Sequence, residues 1–153
     1  TALAREQRKM DYAAKKELEK PPTSAQSAAA SYGTRMQNAD KTINDLMDSG
    51  FDPTSVVTGI RSVLPAYFQR PEQQQMEQAQ RDFINAQLRR ESGAAISSSE
   101  FENAAKQYFP QPGEDKSVTE QKRRNREIAI KGIQAAGYPG GNVPQNKEIK
   151  VNF

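Results

Sequence analysis

Glu91 and Ser92 sit together in LRRESG, at the end of a Gln- and Arg-rich stretch. A carboxyl group there can serve as a lone general acid if an apolar cleft raises its pKa. Arg89 and Arg90 stand beside it, and nearby cations push a carboxyl the other way. A helix-end carboxylate paired with arginines is the plainer reading. A second cluster is QKRRNREIAIK, residues 121–131, which carries Lys122, Arg123, Arg124, Arg126 and Lys131. Cations grouped on one helix can neutralise phosphates. Glu120–Arg124 and Arg123–Glu127 have the spacing of intrahelical pairs, which absorbs part of that charge. No aromatic residues are interleaved to stack on bases. The cluster therefore suits non-specific DNA or phosphate contact, with a solvated helix face as the simpler alternative.

The chain supplies little else for chemistry. It has no Cys and no His, so disulfide frameworks, thiolate metal sites and histidine-dependent hydrolysis or phosphoryl transfer are excluded. Gly140-Gly141 follows Pro139 with no helix after it to complete an anion site. Asp40, Asp45, Asp48 and Asp52 are scattered acids without a calcium-loop pattern. No cofactor, metal or small-molecule substrate is expected. No apolar run approaches the length of a membrane span. The charged start, LAREQRKMDYAAKKELEK, does not read as a signal peptide. Thr1 in place of Met fits either initiator removal or a piece of a longer chain.

The elements around these clusters read as helices. Residues 2–20 are strong helix formers with a narrow stripe of Leu3, Met10, Ala14 and Leu18. Charged pairs such as Glu6–Lys9 and Asp11–Lys15 surround it, and Pro21-Pro22 ends it. Over 24–49, Tyr32, Met36, Ala39, Ile43 and Leu46 step 4-3-4-3, and Gly50 stands where a left-handed cap is wanted. Asp52-Pro53 opens a short helix, 53–64. Residues 72–91 place Met76, Ala79, Phe83 and Ala86 on one face, with Ile84 and Leu88 widening it and Gly93 ending it. Ser97 with Glu100 forms a capping box for 98–109, where Phe101, Ala104, Ala105 and Tyr108 are apolar. Ser117 with Glu120 reads as another, opening 118–136 with Ile128, Ala129, Ile130 and Ile133 as its apolar residues. Gly137 caps that helix, and the tail beyond it is Gly/Pro/Asn-rich.

Eight Ile, five Leu, six Val and six Phe make about 16% of the 153 residues, below the roughly 20% of self-contained domains. Net charge is only +3, so the other mark of disorder is missing. The expectation is all-α: about six elongated or loosely packed helices with Pro/Gly breaks, assembling with other chains. Residues 1–22 would be a charged N-terminal helix, 23–137 a helical assembly region and 138–153 an extended tail. The most apolar segment, with Val56, Val57, Ile60, Val63, Leu64, Tyr67 and Phe68, is the expected interface.

Two resemblances add a context. Glu91-Ser92 at a helix end is similar to the catalytic dipeptide of lytic transglycosylases, which would make the chain a fragment of a virion-associated peptidoglycan-cleaving enzyme. The Gly-Leu-Met-Gln-type segment of those enzymes is absent. The strings FINAQLRRESGAAIS, EFENAAKQYFPQPGEDK and QKRRNREIAIKGIQAAG, within residues 81–138, resemble virion proteins of tailed bacteriophages of the DNA-ejection or internal virion type. That resemblance implies a non-enzymatic, homo-oligomeric virion component that helps the genome leave the capsid. Its partners would be portal, tail or other ejection proteins, its place the virion, with non-specific DNA contact through the basic cluster.

Overall fold

The computed structural model describes residues 1–55, 58, 63–65 and 69–138. Among them are five helices and no strand: α1 (Ala2–Leu18), α2 (Ser24–Asp48), α3 (Pro71–Ser92), α4 (Ser98–Tyr108) and α5 (Lys116–Gly137). Half of the residues of the short helix expected over 53–64, and all of the tail after Tyr138, lie outside the described residues.

Each helix begins and ends on identifiable side chains. The Thr23 hydroxyl accepts from the Gln26 backbone and the Gln26 side chain accepts from the Thr23 backbone, which completes a capping box for α2. At the other end Gly50 adopts φ +103°. Phe51 N–H donates to Leu46 O and Gly50 N–H to Met47 O, both at 3.1 Å, the paired closure of a left-handed terminus. Pro71 opens α3, and Gly93 closes it at φ +64°. Ser97 and Glu100 form the expected box on α4.

The start of α5 differs from the expected Ser117–Glu120 box. Ser117 donates through both its backbone N–H and its hydroxyl to Asp115 Oδ1, at 2.8 and 2.6 Å. Ser117 is the second residue of the helix, inside it rather than at its cap. The ionised Asp115 is the accepting cap and the helix begins at Lys116.

Two of these caps carry a pH dependence. Hydrogen bonds from the Ser97 backbone and hydroxyl hold the Glu100 carboxyl below its ordinary range. Those from the Ser117 hydroxyl and backbone do the same for Asp115. A carboxylate depressed in the folded state stabilises above its unfolded pKa, and that contribution fades as pH falls through the folded one. Thermal stability should therefore be unaffected by these caps down to about pH 5 and fall below about pH 4. Melting curves of Glu100→Gln and Asp115→Asn should show a smaller part of that acid-induced drop. An unchanged acid profile in both variants would remove the caps as its source.

α2 packs along both α3 and α5, while α4 makes smaller contacts with α3 and α5. The seam read from α2 is buried: Met36, Ala39, Ile43 and Leu46 meet Met76, Ala79, Phe83, Ile84 and Ala86 of α3. Phe83 lies between the Tyr108 and Phe109 rings, at centroid distances of 5.3 and 5.4 Å. From α5, Ile130 and Ile133 are buried, but Ile128 is 68% exposed. Ile128 is two residues before Ile130, so on a helix the two side chains diverge by about 160° and cannot share a face.

Small residues set the approach of α2 to α5. A Cβ on Gly137 would stand 2.7 Å from Ala30 N, and one on Gly33 would stand 3.3 Å from Ile133 Cγ2. Gly137 is therefore a packing glycine at the helix crossing, with Tyr138 as the cap, rather than the terminator that its place before Pro139 suggested.

α1 stands apart from this core. Every one of its described side chains is exposed, with Leu3 at 85%, Met10 at 64% and Tyr12 at 70%.

Candidate functional site

The basic cluster of α5 divides between the interior and the surface. Arg126 is 1% exposed and Lys122 7%. Arg126 Nε donates to Asp40 Oδ1 on α2 at 2.6 Å, one terminal nitrogen to Tyr108 O at 2.9 Å, and the other to Asn44 Oδ1 at 3.1 Å. Asn44 Nδ2 in turn donates to Asp40 Oδ2 at 3.1 Å. The guanidinium also lies 5.8 Å from the centre of the Phe109 ring. Lys122 Nζ donates to Phe109 O at 3.0 Å and pairs with Glu114.

Tyr108 and Phe109 end α4, where backbone carbonyls lack intrahelical partners and cations are favoured. Arg126 and Lys122 satisfy those carbonyls and join α2, α4 and α5. This corrects the sequence reading of both as phosphate contacts, because a buried cation already shared among internal acceptors is closed to an outside phosphate. Of the remaining cluster, Arg123 is half-buried, and Arg124 and Lys131 are exposed. Sequence reasoning missed Asp40 and Asn44 as partners. The signal was available in α5: Lys122, Arg126, Ile130 and Ile133 share one helical face.

Glu91 is exposed at the end of α3. Gln87 Nε2 donates to its Oε1 at 2.7 Å. Tyr108 is near enough for its phenol to respond: burial pushes that phenol up, the Glu91 charge adds to the rise, and a hydrogen bond from Gln87 opposes it. The open position gives Glu91 none of the apolar enclosure that a lone general acid requires.

A surface groove of about 750 Å³ runs between α2 and α3 and is lined by Arg35, Asn38, Thr42, Gln74, Gln78 and Asp82 among others. Its amides offer hydrogen bonds but no nucleophile–base pair. Among the described residues no group of acids is arranged to hold a metal ion, and no helix is long and apolar enough to cross a membrane.

Of the expected interface, Val56, Val57, Ile60, Tyr67 and Phe68 lie outside the described residues. Val63 is 81% exposed and Leu64 40%, so these two are not part of dense packing within the chain. The segment before them is anchored: Pro53 is buried, Gly113 N–H donates to Thr54 O at 2.8 Å, and Gln73 Nε2 donates to Thr58 O at 3.2 Å. A comparison of the chain with protein-family models finds no match, and neither a curated protein nor a solved structure matches it.

Proposed function

We propose that this chain is a non-enzymatic structural component of a tailed-phage virion, which oligomerises in the particle and assists genome ejection. The observation that carries the assembly part is α1. A lone helix of its 17 residues is marginal in water, since most helical stability in proteins comes from packing an apolar face. Its Leu3, Met10 and Ala14 are exposed together on one face, at the seven- and four-residue steps of a coiled-coil seam. A second copy of the chain offers the same stripe at the same spacing. The exposed Val63 and Leu64 supply a further apolar surface for portal, tail or other ejection proteins.

The phage context comes from the resemblance in residues 81–138. The caps and breaks that carry it, Gly93, the Ser97–Glu100 box and the Pro110–Gly113 turn, are the features that orient α3, α4 and α5. The test is genetic. Particles assembled without this chain should still package DNA and adsorb to cells, yet deliver the genome poorly. Full infectivity of such particles, or absence of the chain from purified virions, would overturn the proposal.

A further inference from the structure

We infer that the outer face of α1 is a binding site for the phosphate backbone of double-stranded nucleic acid, a role beyond assembly that does not depend on the phage reading. At 100° per residue, Arg5, Arg8, Lys9, Lys15 and Lys16 fall within an arc of about 120° on α1. Tyr12 stands inside that arc, 70% exposed. All five cations are exposed as well. The acids of the helix are elsewhere. Glu6 and Glu17 border the Leu3–Met10–Ala14 stripe on one side and Asp11 borders it on the other. Lys9 meets Glu6 at 3.4 Å across the edge of the arc, and Asp11 accepts from Gln7 at 2.9 Å, away from the cations.

The dimensions and charge suit a duplex. Arg5 to Lys16 spans about 16 Å of helix axis, over which a DNA duplex presents about nine charges. The Tyr12 hydroxyl adds a hydrogen-bond donor to phosphate oxygen within the cationic face. An anionic membrane fits less well. Helices that lie on membranes carry their cations on a polar face above an inserted apolar one, whereas here carboxylates border the stripe and would meet the anionic headgroups first. α5 fits less well too, because Lys122 and Arg126 are committed to internal partners. With the stripe turned toward a second copy, the basic arc remains outward, so assembly and phosphate binding use opposite faces of α1.

The experiment is fluorescence anisotropy of a labelled duplex of about thirty base pairs, long enough for several phosphate contacts, titrated with the full chain at low and moderate salt. The test variant is Arg5→Gln/Lys9→Gln/Lys16→Gln, in which glutamine keeps helix propensity. A second variant, Arg8→Gln/Lys15→Gln, covers the rest of the arc, and Arg124→Gln/Lys131→Gln serves as the α5 comparison. The wild-type chain should bind with a steep salt dependence. The triple variant should lose about tenfold or more in affinity at low salt, and its salt slope should shrink by roughly 0.9 per phosphate contact removed. The double arc variant should act in the same direction, and the α5 variant should change affinity by less than either. Failure of the wild-type chain to bind would overturn the inference. So would arc variants that bind as well as wild type, or tighter binding to phosphatidylserine vesicles than to the duplex.

Discussion

Replacing Arg126 by Met should lower the unfolding free energy by about 3–5 kcal/mol, the usual cost of removing one partner of a buried ion pair. The substitution leaves Asp40, 8% exposed, with only the Asn44 amide. It also strips the Tyr108 carbonyl of its donor. A domain of this size has roughly 5–15 kcal/mol in all, so the variant should unfold at markedly lower denaturant. Arg126→Lys should recover only part of the loss, since an ammonium on a flexible stem cannot match the planar fork that reaches Asp40, Asn44 and Tyr108 O together. The double variant Asp40→Leu/Arg126→Met should be more stable than Arg126→Met alone, because it removes the orphaned charge. Denaturation followed by circular dichroism measures all three. A loss under about 1 kcal/mol for Arg126→Met would mean that the pair is solvated rather than buried.

Phe83→Ala should cost about 3–5 kcal/mol, within the range for truncating a fully buried aromatic. Phe83 is 0% exposed and its ring meets both Tyr108 and Phe109. Truncation removes the surface on which the end of α4 rests, so α4 should loosen before α2 and α3 separate. Hydrogen exchange should show Ala104, Ala105 and Tyr108 amides losing protection in the variant ahead of those of Met36 and Ile43. Equal loss of protection across all helices would mean that α4 is not a separable unit of the fold.

Both predictions rest on features of uneven legibility in the sequence. The α2 seam, the left-handed glycines 50 and 93 and the Ser97–Glu100 box are local patterns, and each is present. Core content was harder to read. Counting branched aliphatics and Phe undervalues an interior whose buried positions include Ala29, Ala39, Ala79, Ala86 and Ala104, with Met36 and Met76 filling gaps. Close helix approach through Gly33 and Gly137 compensates for small side chains, but a glycine near a helix end also resembles a terminator. The basic run of α5 misleads for a related reason. Lys122 and Arg126 look like a solvated face until Asp40, 86 residues away in sequence, is brought beside Arg126, and Phe109 O and Glu114 beside Lys122. The face these two cations share with Ile130 and Ile133 marks them as inward, but nothing local names the partners they meet there. In α1 the alternating signs suggested intrahelical pairs, and the segregation of its cations shows only when its residues are placed around the helix.

Under the function proposed above, the chain assembles through α1. Sedimentation equilibrium of the full chain at moderate salt and without nucleic acid tests it most directly. Assembly through α1 predicts a weight-average mass that rises above the monomer with concentration. It also predicts that Leu3→Glu/Met10→Glu, which sets charges on an exposed stripe without touching the core, returns the chain to a monomer while its helical signal falls only by the contribution of α1. A wild-type chain that remains monomeric at every concentration, or a double variant that associates as strongly as wild type, would contradict it.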